Sequence, residues 1–388
     1  MAYQALARKW RPRRFAELVG QEHVVRALTH AIEQNRLHHA YLFTGTRGVG
    51  KTTLARILAK AINCEQRQGA EPCGECVVCR EVDEGRFVDL LEVDAASKTK
   101  VEDTRDLLEN VIYAPTHGRY KIYLIDEVHM LSAHSFNALL KTLEEPPSHV
   151  KFLLATTDPQ KIPVTVLSRC LQFNLKQLTP EQIRGQIEYV LAEESIPFEA
   201  NAVRALARAA DGSLRDGLSL LDQAIAHGGG RLVADLVQGM LGSVSREPVL
   251  SMLRALSALD AEALIEEIAT LDQFAPNYAE VIQEMLSILH HAAMAQWAPE
   301  VLREEDDREA ILDLSRKTTA EDLQLFYQIA LIGQRDLALV RDPRMGFEMM
   351  MLRMLAFRPQ SLQDPLAKSA SKFSVQEVKR PPPATLSK

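Results

Sequence analysis

Through the first half of the chain, short and nearly unbroken apolar runs alternate with longer segments whose apolar residues recur every three or four positions. The runs are rich in β-branched and aromatic residues, and each has the length of a buried strand. Ala40-Tyr41-Leu42-Phe43-Thr44 predicts a first strand, followed by a glycine-rich turn and a helix from Lys51 to about Ala61. Val88–Val93, Lys121–Ile125 and Lys151–Thr156 predict three more strands, and Leu171-Gln172-Phe173 a short fifth. Strands separated by helices need crossover connections, so a parallel, doubly wound α/β sheet is expected. The pattern changes after Thr179-Pro180-Glu181, a helix N-cap with Pro at the first helical position. From there the spacing is helical only, with Gly228-Gly229-Gly230 as an internal loop and segments such as Val281–Met294 carrying the three-and-four repeat. The expected division is an α/β domain over 1–179, a small helical domain over 180–242, an all-helical domain over 243–358 and a Pro-, Ser- and Lys-rich disordered tail over 359–388.

Composition changes this picture little: 46% hydrophobic residues suffice for several cores. A net charge of −7 argues against a chain that coats nucleic acid throughout. Its distribution is uneven, since residues 1 to 60 hold eleven Lys/Arg against three Asp/Glu. That asymmetry fits an anionic partner on one part of the surface and equally a solvated basic face. No apolar run approaches the roughly 20 residues that span a bilayer. The basic start (Arg8, Lys9, Arg11, Arg13, Arg14) has no apolar stretch behind it and is not a secretory signal, so the expectation is a cytoplasmic protein without a membrane partner.

The chemistry concentrates at two strand ends. Gly45-Thr46-Arg47-Gly48-Val49-Gly50-Lys51-Thr52 is a complete P-loop placed between a predicted strand and a helix. Its glycines let backbone N–H groups turn around phosphate oxygens at a helix N-terminus. Lys51 can reach the β- and γ-phosphates of ATP, and the Thr52 hydroxyl can ligate Mg²⁺. Leu124-Ile125-Asp126-Glu127 is an apolar strand ending in two carboxylates. Asp126 suits the Mg²⁺ shell and Glu127 the activation of an attacking water. Thr157, at the end of the fourth strand, fits a γ-phosphate sensor or an ordinary strand-end threonine. Arg215 follows the helix-start signal Asp211-Gly212-Ser213, which would put its guanidinium near a helix N-terminus. Arg169 has no local signature of its own.

Cys64, Cys73, Cys76 and Cys79 form a C-x₈-C-x₂-C-x₂-C set over 64–79, with Cys170 apart. Four thiolates make a closed tetrahedral site, so the expected metal is structural Zn²⁺. An iron–sulfur cluster or free thiols remain the alternatives.

Taken together these motifs resemble the tau/gamma family of bacterial DNA polymerase III clamp-loader subunits, which are AAA+ ATPases. The resemblance runs through Tyr3–Pro12, Val19-Gly20-Gln21-Glu22-His23, His39–Phe43, the P-loop and the cysteine cluster. It continues through Asp94-Ala95-Ala96-Ser97, Asp126–Leu131, Ala138–Pro147 and Leu167-Ser168-Arg169-Cys170, and more weakly through the third domain. It implies an AAA+ P-loop domain with a zinc module, a helical lid and an all-α collar. It also implies an ATP-hydrolysing motor in a five-membered ring with delta, delta-prime and further copies of itself. That ring opens the beta sliding clamp and places it on primed DNA, within the polymerase III holoenzyme. On matching positions, Arg169 becomes an arginine finger for the neighbour's ATP, Thr157 the first sensor and Arg215 the second. Ala7, Pro12 and Val19 would close over adenine and ribose, with Thr53 and Leu214 completing the nucleotide set. Lys98, Lys100, Lys141 and Lys161 would face DNA phosphates, though each alone fits a solvated lysine. Longer members carry further C-terminal domains, which these 388 residues do not include. A branch-migration helicase of the AAA+ class would share the P-loop, the Asp-Glu pair and the finger, but not the four cysteines. A ring partner with a silent site would lose Lys51, Thr52 or Glu127, and all three are present.

Overall fold

The computed structural model describes residues 4–97, 110–241, 246–273, 276–302 and 307–357. The chain forms two compact units, Met1–Leu241 and Gly242–Lys388.

In the first unit the five predicted strands are present as β1 (Ala40–Thr44), β2 (Leu90–Asp94), β3 (Lys121–Asp126), β4 (Val150–Thr156) and β5 (Leu171–Asn174). They make one sheet in the order β2-β3-β4-β1-β5, and every pairing is parallel. Central strands β1 and β4 are buried along their whole length, which explains their nearly unbroken apolar sequences, Lys151 in β4 being the charged exception. Alternate residues divide between two cores. Tyr41, Phe43, Ile122, Leu124 and Leu153 pack with helices α2 (Glu22–Glu33) and α3 (Lys51–Asn63), which follow the one-turn α1 (Leu6–Lys9). Leu42, Tyr123, Ile125, Phe152 and Leu154 face the opposite side. There they meet Phe136, Leu139 and Leu143 of the helix Ala133–Glu144. Register brings the carboxyl ends level: Thr44 stands beside Thr156, and Asp94 beside Asp126.

Beyond α3 come α4 (Val77–Glu84), then α5 (Ala133–Glu144) and the one-turn α6 (Val164–Leu167). The helical part of this unit starts at a full capping box. Thr179 Oγ1 accepts from Gln182 N, the Gln182 side chain accepts from Thr179 N, and Pro180 opens α7 (Pro180–Glu193). Helices α8 (Ala200–Ala209), α9 (Leu214–His227) and α10 (Ala234–Leu241) complete a small bundle. Its core, around Ile187, Leu206 and Leu221, also takes Leu6 and Leu178. The N-terminal segment is strapped to that bundle: Leu6 N donates to Asp222 Oδ2 at 2.8 Å and Trp10 Nε1 to Glu194 Oε1 at 2.8 Å.

The described residues of the second unit are helical throughout: α11 (Arg246–Ala258), α12 (Ala261–Asp272), α13 (Tyr278–Trp297), α14 (Arg308–Lys317), α15 (Ala320–Leu337) and α16 (Pro343–Ala356), with a 3₁₀ turn at Pro299–Leu302. One core formed by Ile282, Met285, Leu289, Phe326, Phe347 and Met351 joins them. Among the described residues no helix is long and apolar enough to cross a membrane. The predicted tail, 359–388, lies outside the described residues.

The second strand starts two residues later than its apolar run suggests. Val88 is 64% exposed, while Asp89 turns inward at 2%. Its carboxylate accepts the backbone N–H groups of Thr116, His117 and Gly118, each at 2.7 Å, and so shapes the loop that leads into β3. Burial pushes this carboxyl up, but the three N–H donors outweigh it and hold the pKa below the usual range. Stability drawn from this lowered pKa is present above the unfolded-state value of about 3.9 and is lost as pH falls through the folded-state value. Asp89→Asn should therefore destabilise the first unit by about 1.5–3 kcal/mol near neutral pH. The check is a urea transition followed by the fluorescence of Trp10 in a Trp297→Phe background, which silences the second of the chain's two tryptophans.

Candidate functional site

The P-loop joins β1 to α3. Gly50 is the N-cap of α3 at φ +101°, and Gly48 sits at φ +79°, both in the left-handed region that excludes most side chains. A Cβ on Gly48 would lie 1.8 Å from Ser213 Oγ, so the loop is pressed against the start of α9. Ser213 caps that helix by accepting from Asp216 N at 3.2 Å. Lys51 is only 6% exposed. Its Nζ donates to the Gly45 and Thr46 carbonyls at 2.9 and 2.8 Å. Burial lowers the Lys51 pKa, and the carboxylates of Glu127 and Asp126 oppose that shift.

Thr52 Oγ1 donates to Asp126 Oδ2 at 2.6 Å, fastening the first turn of α3 to the end of β3. Glu127, the next residue, has a left-handed backbone at φ +47°, ψ +47°. Such a conformation costs a non-glycine residue about 1–3 kcal/mol and aims its side chain off the strand axis. Glu127 Oε2 accepts from Thr157 N at 3.1 Å and from Thr157 Oγ1 at 2.9 Å.

These groups border a cavity of about 600 Å³, within the range of roughly 300–1,000 Å³ usual for small-molecule sites. Its floor is Arg47–Thr53 with Asp126 and Glu127. Ala7, Pro12 and Val19 of the N-terminal segment form one wall, and Leu214 and Arg215 of α9 another. Apolar walls above a polar, amide-rich floor suit a ligand that is a flat heterocycle at one end and polyanionic at the other.

The four cysteines lie at the far end of α3, where Cys64 is the C-cap and Cys76 caps α4. Their sulfurs all fall within 4.8 Å of one another, and the Cys64–Cys76 and Cys73–Cys79 pairs stand at 3.9 Å. Thiolates about 2.3 Å from one tetrahedral ion are about 3.8 Å apart, so the set fits a single metal. Backbone N–H groups of Cys76 and Glu75 point at Cys73 Sγ from 3.3 and 3.4 Å, and they lower its pKa to about 6. Burial pushes Cys79 and Cys64 upward, a cost that a bound cation removes.

Three family models cover successive parts of the chain: DNA polymerase III, delta subunit, over 20–179; DNA polymerase III clamp loader subunit, ATPase lid domain, over 182–230; and DNA polymerase III subunits gamma and tau domain III, over 232–368. The chain is 58% identical over 363 residues to DNA polymerase III subunit tau of Salmonella typhimurium, covering 92% of this chain and 56% of that one. Against DNA polymerase III subunit gamma of Buchnera aphidicola from Acyrthosiphon pisum it is 42% identical over 359 residues, covering 92% of this chain and 99% of the other. The chain belongs to the gamma/tau family of DNA polymerase III subunits. It spans about half the length of the tau relatives it matches. The solved Thermotoga maritima RuvB branch-migration motor is 20% identical at a TM-score of 0.46, covering 71% of this chain and 91% of that one. An overlap of that size carries no functional argument.

Within this gamma/tau chain the structure brings most of the sequence-selected residues to one place, with specific exceptions. Gly45 and Thr46 do not border the cavity but hold Lys51 through their carbonyls. Thr157 acts on Glu127 from behind. Arg169 lies away from its own chain's cavity, donating to Thr165 O at 2.8 Å and Glu144 Oε1 at 2.8 Å. Lys141 and Lys161 are exposed, the latter 3.1 Å from Asp158, and Lys98 and Lys100 fall outside the described residues. The cavity also contains residues that sequence reading did not single out. Arg11 Nε donates to Thr53 Oγ1 at 3.1 Å, and burial followed by the neighbouring Arg56 lowers its pKa. Arg56 makes two hydrogen bonds to Glu92, at 2.8 and 2.6 Å. Nothing in the basic N-terminal string marks Arg11 apart from its neighbours, and the Arg56–Glu92 pair joins elements distant in sequence.

The cysteine geometry predicts about one tetrahedrally bound metal ion per purified chain. Elemental analysis checks it. Cys76→Ser should lose the ion and lower the unfolding midpoint of the first unit, and full stability of metal-free protein would exclude a structural metal.

Proposed function

We propose that this chain is an ATP-hydrolysing motor subunit of the bacterial replicative clamp loader, opening the beta sliding clamp and loading it on primed DNA. The observation that carries the reading is the 2.6 Å bond from Thr52 to Asp126, with Glu127 beside it on the same cavity. It unites a phosphate loop with the two carboxylates that hydrolysis requires.

Adenine and ribose would lie between Ala7, Pro12 and Val19 and Leu214, all of which line the cavity. The amides of Arg47–Thr52 would hold the phosphates, and Lys51 would leave the Gly45 and Thr46 carbonyls for the β- and γ-oxygens. Thr52 and Asp126 would hold Mg²⁺, which when bound offsets charge on the triphosphate. Glu127 would take the proton of the attacking water, Thr157 would register the γ-phosphate and Arg215 would pair with it from the bundle side. Arg169 would serve the neighbouring subunit's ATP. Its position outside its own cavity supports a role in trans, because a finger needs a surface from which to reach across. The four cysteines would hold structural Zn²⁺, favoured by an all-thiolate tetrahedral set. Partners would be delta, delta-prime and further copies of this chain in a cytoplasmic ring, with Lys98, Lys100, Lys141 and Lys161 near DNA phosphates.

The test is ATP turnover by the assembled complex with and without the beta clamp and primed DNA. Stimulation by both together is expected, and indifference to the clamp would refute clamp loading. Lys51→Ala should abolish ATP binding by this subunit. Arg169→Ala should leave ATP affinity intact and cut turnover within the ring by about 10³-fold or more. Equal turnover by mutant and parent rings would remove Arg169 from catalysis.

A further inference from the structure

His129 lies in the 3₁₀ turn Val128–Met130, directly after the paired carboxylates. The turn folds the chain back so that the imidazole, 10% exposed, sits against the end of β4. Its Nδ1 is 3.0 Å from Thr156 Oγ1 and 3.3 Å from Glu127 Oε2. Thr156 is fully buried, and its Oγ1 also accepts from Asp158 N at 3.0 Å, which fixes the hydroxyl. Glu127 Oε2 is thus approached by Thr157 N, Thr157 Oγ1 and His129 Nδ1. Glu127 Oε1 has no hydrogen-bond partner among the described residues.

We infer that His129 is a positioning residue for Glu127: with Thr157 it pins one carboxylate oxygen and leaves the other, Oε1, turned to the attacking water. The inference rests on the reading of Glu127 as the base. A glutamate has three side-chain torsions, and the left-handed backbone at Glu127 settles only where the chain starts. Its far end needs a separate anchor, because proton abstraction requires the accepting oxygen within hydrogen-bond reach of the water. Thr157 supplies donors from the β4 side, and His129 supplies the contact from the β3 side. The imidazole is itself held, since Thr156 Oγ1 meets the same nitrogen. This is the arrangement in which a base is oriented by a third group. The ring nitrogen's hydrogen bond is to the strand-end hydroxyl of Thr156, and the carboxylate stands beside it at 3.3 Å, close enough for the ring to limit where Glu127 Oε2 can lie.

Single-turnover ATP hydrolysis by the assembled complex, with ATP affinity measured separately, tests the inference. His129→Phe keeps the ring and removes Nδ1. It should lower the hydrolysis rate at least about tenfold with affinity within about twofold, as expected when the loss is confined to the chemical step. His129→Asn, whose amide can occupy the Nδ1 position, should recover most of the rate. Thr156→Val, isosteric and fully buried, should show a smaller loss of the same kind. Parental rates in both His129→Phe and Thr156→Val overturn the inference, as does affinity falling in step with rate or Asn performing no better than Phe. Glu127→Gln separates the two levels. If it abolishes hydrolysis while His129→Phe keeps the parental rate, only the positioning role fails. If Glu127→Gln hydrolyses at the parental rate, the reading of Glu127 as the base falls first.

Discussion

The bond between Thr52 and Asp126 is where two requirements meet. A triphosphate needs unpaired backbone N–H groups at a helix N-terminus, and hydrolysis needs carboxylates within reach of its last phosphate. A parallel sheet supplies both on one edge, because each strand delivers its carboxyl end to the same side. Here the register places Asp94 beside Asp126 and Thr44 beside Thr156, all at the same edge of the sheet. The buried lengths of β1 and β4, the two-sided cores and the glycine turn into α3 all maintain that level. A shift of one strand by a single residue would separate Thr52 from Asp126 and send the apolar residues of that strand to the wrong cores.

What the sequence makes legible is what local chemistry decides. The inner strands β1, β3 and β4 show because burial on both faces favours nearly continuous apolar runs. The P-loop shows because left-handed turns at Gly48 and Gly50 require glycine at fixed spacing. The cysteines show because a single tetrahedral site would need four thiolates at close spacing. Illegible features depend on contacts between distant segments. Asp89 reads as part of a strand, yet it anchors the residues 27 to 29 positions later. Arg11 reads as one charge among five, yet it alone of that run bonds to Thr53. Glu92 alternates with apolar residues like any strand-surface acid, yet it holds Arg56 at the cavity rim. In each case the residue type is unremarkable and the meaning comes from the fold.

The cysteine module is tied to the nucleotide site through one helix. Cys64 closes the end of α3 whose start is Lys51, and Lys60 on that helix, 1% exposed, donates to Asp83 of α4 at 2.7 Å. A buried lysine is costly unless paired, and the pair leaves α4 one geometry relative to α3. A metal held by the four cysteines would act on the same contact as this ion pair. A loop with this small a core, built on Val78, Val82 and Phe87, would not hold its shape on apolar burial alone.

The walls of the cavity come from opposite ends of the first unit's sequence. The N-terminal segment is bound to the helical bundle at Asp222 and Glu194, while Arg11 reaches Thr53 on α3. The P-loop in turn touches the start of α9 so closely that Gly48 has no room for a side chain. A ligand filling this space would contact sheet, segment and bundle together, so its binding energy includes the relative placement of all three. For a nucleotide bound as proposed, loss of one phosphate would remove contacts from the floor while leaving those to Ala7, Pro12 and Val19 in place. Differential contact of this kind is what a nucleotide needs to bias one arrangement over another. The strap bonds the wall of Ala7, Pro12 and Val19 to the helix that carries Arg215, through Leu6 and Asp222.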